Sequence, residues 1–329
     1  MSGCRLALPV LVLFVSAAFA PAAEPGPSFV DDDDITAKFT EKLSALAKAG
    51  KCLPVEKLRT LAEKDKVGDL KPSKSDGKPL PAEDIYKKAL PSVFLIGSVI
   101  ADKEAKGGYD TGRLATAWVL AADGVFVTNW HVFDRIQDGE FYGVMDRTGK
   151  TYPLTDILAM NKNADVAVVK VDAKGLSPLP VAAEPPPVAS WVAVLGHPGD
   201  RHFTFTQGNV SRFNTYNDPE TKTSSKWMAI TAEYAYGSSG SPVLDKTGAV
   251  VGMAALTENI DYPDDEPAAA KNVGRKRMVR LPAQKPKDDK PPEAKAKDDK
   301  AVPKGSALQM VVKLTVPVTA LRAVIVGKE

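Results

Sequence analysis

Three short stretches carry residue types that together perform nucleophilic chemistry. Val127-Thr128-Asn129-Trp130-His131-Val132 runs a β-rich stretch into a histidine. Asn163-Ala164-Asp165-Val166 puts an aspartate ahead of an apolar run, and Gly237-Ser238-Ser239-Gly240-Ser241-Pro242 sets a serine in a glycine-bounded turn. A serine hydroxyl is a poor nucleophile at neutral pH and needs a base within hydrogen-bond reach. His131 can take that proton and return it to a leaving amine. Asp165 would hold the other ring nitrogen, fix the tautomer and stabilise the imidazolium. Gly237 lets the backbone turn sharply, so that the N–H groups of Gly237 and Ser239 converge on a developing oxyanion. Each such donor is worth about 2.7–4 kcal/mol in the transition state.

Each motif alone also has a bland reading: a packing histidine, an aspartate that forms a turn, a Gly/Ser loop. Their occurrence together, in the order His, Asp, Ser and on a β-rich background, favours the catalytic one. The order also argues against an α/β-hydrolase esterase, whose triad runs Ser, acid, His. His197 and His202 are the other histidines of the chain, and His197 in Gly196-His197-Pro198-Gly199 reads as a turn residue. No Cys/His/carboxylate cluster has metal-ligand spacing, and no glycine-rich phosphate loop opens a helix. No metal and no cofactor are expected.

Such residues need a rigid frame. From about Glu83, short runs rich in Val, Ile, Phe and Thr recur between Gly, Asp and Asn turns: 92–100, 115–121, 124–129, 166–171, 191–195, 228–231, 250–255 and 310–316. Many short strands with few long helices indicate an all-β sandwich or barrel. Pro317 is placed to start a helix, with Val318, Leu321 and Ile325 on its apolar side. Ahead of the strands, Ile35, Phe39, Leu43, Leu46 and Ala47 recur at helical spacing. A second short helix is expected over 55–64, and Pro72 and Gly77 read as linker. Residues 261–306 break the pattern: they are rich in Pro, Lys, Asp and Ala and hold a near-repeat, Lys287-Asp288-Asp289-Lys290 and Lys297-Asp298-Asp299-Lys300. A disordered insertion is expected there, with a solvated basic cluster of Lys271, Arg275, Lys276, Arg277 and Arg280.

The chain has 329 residues, 44% apolar, and a formal net charge of +2. A sizeable core is affordable, and the charge gives no case for nucleic acid. Arg5 followed by the apolar run from Leu6 to Phe19 and the small residues Ala17, Ala18 and Ala20 reads as a secretory signal over 1–23, too short for a confident span. Cleavage after Ala20, Ala22 or Ala23 is compatible with it, and an uncleaved anchor is the rival. Of the two cysteines, Cys4 lies in that signal, and Cys52, left alone, reads as a packed thiol.

The motifs resemble those of trypsin-like serine peptidases of the HtrA/Deg type and of bacterial glutamyl endopeptidases. Thr128-Asn129-Trp130-His131-Val132 is similar to their Thr-Asn-x-His-Val, and Asp165 to Lys170 to Asp-Leu-Ala-Val-Leu-Lys. Gly237 to Pro242 is similar to Gly-Asn-Ser-Gly-Gly-Pro and more so to the glutamyl endopeptidase form. Asp165 follows His131 by 34 residues, and Ser239 follows Asp165 by 74. The resemblance covers about 83–257 and 307–326. It implies a chymotrypsin-like double β-barrel with a short closing C-terminal helix, in a peptidase domain over 83–326 preceded by a small helical extension and linker over 24–82. It implies a serine endopeptidase acting on exported, unfolded proteins in the periplasm or outside the cell, with protein or peptide partners and oligomers left open. A protease fold kept as an inactive binding scaffold is the alternative.

Departures sharpen the expectations. Ala115-Thr116-Ala117 stands where Gly-Ser-Gly is usual, which could shift the strand that opens the first barrel. Ser238 leaves no carboxylate beside the nucleophile for a new amino terminus, so zymogen-style activation is not expected. With nothing after the closing helix, regulation through a PDZ domain is not expected either. The resemblance places the primary substrate pocket among Thr231, Ala232, Glu233, Tyr234 and Ala254. Ala254 replaces the histidine of glutamyl endopeptidases, which argues against glutamate preference. Glu233, six residues before Ser239, would act as an acidic floor favouring Lys or Arg.

Overall fold

The first helix, α1 (Asp32–Lys48), is fixed by its ends. The Asp31 carboxylate accepts from the Asp34 N–H at 3.0 Å, three aspartates fill the first turn and Lys48 closes the last, so both ends carry charge that complements the helix dipole. The computed structural model describes residues 29–63, 65–102, 107–217, 222–261, 278–280 and 308–327. Two more helices, α2 (Val55–Ala62) and α3 (Ala82–Ala89), precede the first strand. Both start after a proline, whose fixed φ and missing N–H suit a helix entry. Sequence spacing anticipated α1 and α2 but not α3, which occupies the point where strands were expected to begin.

Six antiparallel strands close the first barrel: β1 (Val93–Ala101), β2 (Tyr109–Ala121), β3 (Val125–Thr128), β4 (Glu140–Met145), β5 (Thr151–Asn161) and β6 (Val166–Val171), in the spatial order β1-β2-β3-β6-β5-β4. The second unit is built from β7 (Trp191–Gly196), β8 (Thr204–Asn217), β9 (Ser224–Ile230), β10 (Pro242–Leu244), β11 (Val250–Asp261), β12 (Met278–Arg280) and β13 (Leu308–Pro317), ordered β10-β7-β8-β9-β13-β11-β12. A further pairing of β10 with β11 closes six of these strands into a ring and leaves β12 on its margin. Helix α4 (Val318–Ile325) follows β13 directly. The expected chymotrypsin-like double barrel with its closing helix is the observed architecture.

The strands read as continuous apolar runs because both of their faces are covered. Inside the first barrel, Phe94 meets Phe126 edge to face at 4.8 Å among Val119, Val144, Ile157 and Val169. On the outer face, Leu95, Val99, Leu114 and Met145 pack against Phe39, Leu43 and Cys52. Cys52 is a buried free thiol, pushed up to about 11 by that burial. The second barrel encloses Val192, Val194, Val210, Met228, Ile230 and Val251. Between the barrels lies the largest apolar cluster, where Trp118, Val127 and Val168 meet Leu195, Met253 and Val316, with α3 and α4 contributing Ile85 and Leu321.

The stretch expected to be linker is tied to both barrels. Lys66 and Met160 of β5 exchange two backbone hydrogen bonds of 2.7 Å. The N–H groups of Gly68 and Leu70 donate to the carbonyls of Val324 and Ile325 in α4, and Val181 N–H donates to Ser73 O. Ser75 Oγ donates to Thr247 Oγ1, and Leu80 N–H to Lys246 O. The segment expected to be disordered, 261–306, lies mostly outside the described residues; the exception is β12, which pairs with Leu256, Thr257 and Glu258. Of the basic cluster only Arg280 is described. The signal expected over 1–23 also lies outside them. Among the described residues no helix is long and apolar enough to cross a membrane.

Candidate active site

His131 lies in a 3-10 turn, Trp130–Phe133, at the end of β3. The turn is pinned from below, where Trp130 Nε1 donates to Ala62 O at the end of α2. Asp165 stands one residue before β6 with φ at 55°, a left-handed backbone that aspartate tolerates better than most residues. Asn129 Nδ2 donates to its carbonyl at 2.9 Å. Both carboxylate oxygens of Asp165 face His131: Oδ1 accepts the His131 backbone N–H at 3.0 Å, and Oδ2 lies 2.8 Å from Nδ1. An ionised carboxylate only accepts, so Nδ1 carries the proton and Nε2 is left as acceptor. Ser239 Oγ lies 2.7 Å from that Nε2. His131, Asp165 and Ser239 are 5%, 3% and 4% exposed. The three residues singled out by motif thus form one buried, hydrogen-bonded chain across the two barrels.

The turn that carries Ser239 depends on two glycines. Gly237 and Gly240 have φ of 83° and 88°. A Cβ at Gly237 would sit 2.3 Å from His197 O, and one at Gly240 2.0 Å from Thr116 O. The Gly237 and Ser239 N–H groups donate to no other described residue. Their directions follow from the carbonyls of the same planar trans peptides, which point the opposite way. Tyr236 O accepts from Gly199 N–H at 2.7 Å, and Ser238 O from Ser241 N–H at 2.8 Å. Chemically, the arrangement offers a hydroxyl nucleophile with a positioned base and two unspent donors beside it.

Ala115 and Ala117, in place of the two glycines, leave the strand in register. The β1–β2 register runs unbroken from Val93↔Trp118 to Gly97↔Leu114, and the one irregularity falls later, between Gly97 and Val99. Sequence reasoning missed the part of Thr116 in the site: from β2 it reaches the nucleophile turn of the other barrel through both backbone and side chain. The departure from Gly-Ser-Gly was the available signal.

The expected pocket residues fare unequally. Thr231 is exposed, its Oγ1 accepting from Asn209 N–H. Ala254 is fully buried and exchanges backbone bonds with Gly240 and Ser241 beside the nucleophile. Ala232 is buried in the second barrel. Glu233 is no free acidic floor: its side chain is 76% exposed, and its carboxylate pairs at 3.0 Å with Lys313 of β13, itself 9% exposed. Lys313 Nζ also donates to Tyr234 O. The buried Tyr234 hydroxyl donates between Leu256 O and Leu314 O, and burial pushes its phenol well above the ordinary tyrosine range. Nothing in the sequence tied Lys313 to Glu233, because 80 residues separate them.

His197 follows β7 and caps the short turn Pro198–Asp200, where a turn role was expected, and it is also buried. Its Nδ1 accepts from Phe203 N–H, and its ring packs on His202 and Phe203. Burial, reinforced by the neighbouring His202, pushes it down to about 3. Among the described residues no group of His, Cys, Asp and Glu is placed to hold a metal ion. Two surface clefts, one lined by Trp130, Phe133, Arg135 and Lys162 and the other by Asn163, Ala164, Trp227 and Thr319, include none of His131, Asp165 and Ser239 in their lining.

The double barrel carries Ser239, His131 and Asp165 across its seam, and residues 115–253 match the family model described as trypsin-like peptidase domain. A serine protease of Mycobacterium tuberculosis is 32% identical over 144 residues, which are 42% of this chain and 34% of that protein. The magnetosome formation protease MamE of Paramagnetospirillum magneticum is 31% identical over 145 residues, 43% of this chain and 20% of that protein. The chloroplastic Do-like protease 5 of Arabidopsis thaliana is 24% identical over 192 residues, 53% of this chain and 59% of that protein. The chain therefore spans about a third of the first of these relatives and a fifth of the second.

Proposed function

We propose that this chain is an HtrA-like serine endopeptidase that hydrolyses peptide bonds of exported, unfolded proteins through an acyl-enzyme at Ser239. The observation that carries the reading is the unbroken hydrogen-bonded chain from Asp165 through His131 to Ser239. Ser239 Oγ attacks the scissile carbonyl while His131 Nε2 takes its proton. The oxyanion is received by the N–H groups of Gly237 and Ser239, His131 protonates the leaving amine, and water then hydrolyses the ester. Signal-directed export places the enzyme in the periplasm or outside the cell, and oligomers are compatible with it. Thr231, Glu233, Tyr234 and Ala254 border the primary pocket, with Lys313 added to its wall. The Lys313 ammonium offsets the Glu233 charge, which weakens the case for cleavage after Lys or Arg.

The test is labelling with a fluorophosphonate alongside casein hydrolysis. The wild-type protein is expected to label and to cleave, and Ser239→Ala to do neither. Folded wild-type protein that does not label would support the inactive scaffold. Hydrolysis of short esters without casein cleavage would point to an esterase.

A further inference from the structure

We propose that Thr116 is a positioning residue for the oxyanion hole, its side-chain hydroxyl holding the one carbonyl of the nucleophile turn that no backbone donor holds. This rests on the endopeptidase reading above. Four consecutive carbonyls define the turn. Tyr236 O accepts from Gly199 N–H, Ser238 O from Ser241 N–H, and Ser239 O from Thr116 N–H at 2.8 Å. Gly237 O instead accepts from Thr116 Oγ1 at 3.0 Å. Three anchors are backbone N–H groups that no substitution short of proline removes. The fourth is a hydroxyl, and it holds the peptide between the two N–H groups that face the oxyanion. That peptide follows a glycine with φ at 83°, where side-chain sterics restrain rotation least.

The hydroxyl is itself held in one orientation. A carbonyl only accepts, so Thr116 spends its single proton on Gly237 O. It must then accept from Ser241 Oγ, 3.1 Å away. Thr128 Oγ1 donates to Thr116 O at 2.8 Å, which fixes the β2 backbone beneath. Thr116, Thr128 and Ser241 are all fully buried, so water cannot replace a lost partner. The result is a directed relay, Ser241 to Thr116 to Gly237 O, that crosses from the first barrel to the second. Valine keeps the volume and the β-branch of threonine but leaves Gly237 O and the Ser241 hydroxyl unpaired, so that the Gly237–Ser238 peptide is held at its N–H end alone, by Ser238 N–H donating to Ala235 O at 3.1 Å, and its carbonyl end loses its anchor.

The experiment compares Thr116→Val, Thr116→Ser and Ser241→Ala with wild type on a peptide substrate, with a peptide trifluoromethyl ketone as probe of the oxyanion and the product peptide as probe of ordinary binding. Thr116→Val is expected to lower kcat about 10–100-fold, short of the 10²–10³ for outright loss of an oxyanion donor. It should weaken the ketone by a similar factor and leave KM and product-peptide affinity within about twofold, the pattern of an interaction made only in the transition state. Thr116→Ser should restore both, and Ser241→Ala, which keeps the Thr116 hydroxyl, should move them less but in the same direction. Full kcat and ketone affinity in Thr116→Val would overturn the proposal. So would a Thr116→Ser variant as impaired as Thr116→Val, or parallel loss of ketone and product-peptide binding. Should Thr116→Val not fold, the Ser and Ser241→Ala variants decide alone: wild-type ketone affinity in Ser241→Ala sinks the relay. Wild-type protein that neither labels with fluorophosphonate nor cleaves overturns the endopeptidase reading and this one together, whereas an active wild type with an unaffected Thr116→Val overturns this one only.

Discussion

At the residue, the site is governed by which atoms have a proton to give. Asp165 uses both oxygens on His131, one on the backbone and one on the ring. Asp165→Asn would place an amide that can donate where only an acceptor belongs, and reverse the imidazole tautomer. A fall in kcat of roughly 10⁴-fold is expected, with fluorophosphonate labelling slowed in proportion and the fold intact by circular dichroism. His131, Asp165 and Ser239 were legible because each lies in a contiguous motif whose chemistry is local. Thr116 was visible only as a departure, because its role is made of bonds to residues more than 120 positions away. The Glu233–Lys313 pair illustrates the converse: position alone made Glu233 an acidic floor, while a partner from a distant strand changed its charge environment.

Among the elements, α1 braces the first barrel from outside. It lays Phe39 and Leu43, both fully buried, against the outer face of the first barrel, in contact with the cluster of Leu95, Val99, Leu114 and Met145. Deleting such a ring leaves a cavity as well as losing transfer free energy, so Phe39→Ala is expected to cost about 3–5 kcal/mol, read as a lowered urea midpoint with activity retained at low denaturant. The helical period of α1 made it readable, and so did the closing helix after Pro317. Two strands over 140–161 were not read as strands at all. In β5 the register shifts twice, between Leu154 and Asp156 and between Ile157 and Ala159, so the period-two alternation that would announce a strand is broken. The short α3 was hidden for another reason: only Ile85 and Ala89 of its eight residues are buried, too few to display a helical period.

Over the whole molecule, stability should depend on pH through the buried imidazoles. His197 is held neutral to about pH 3 by burial and by His202 beside it. His202 is also lowered by burial, against the opposing pull of Asp32 and Asp200. The unfolded chain would take up a proton near pH 6.5 where the folded chain does not. The contribution is therefore fully present above that value and is lost as pH falls toward 3, with a slope of at most about 1.4 kcal/mol per pH unit from one such group. Thermal midpoints measured from pH 7.5 to 4.5 should decline, and His197→Gln should make the decline shallower. An equal decline in that variant would show that other groups set the acid limit.

The segment from Lys66 to Leu80 has a consequence for the order in which the molecule is made. Its partners lie at Met160, Val181, Lys246, Thr247, Val324 and Ile325, all of which leave the ribosome later than the segment itself. It is synthesised before all of them, and its bonds to α4 must wait until Val324 and Ile325 have emerged. Contacts this distant in sequence are slow to form. The nascent chain would thus lack the ties that this segment makes between its two barrels, and stay open to threading, until α4 has been synthesised.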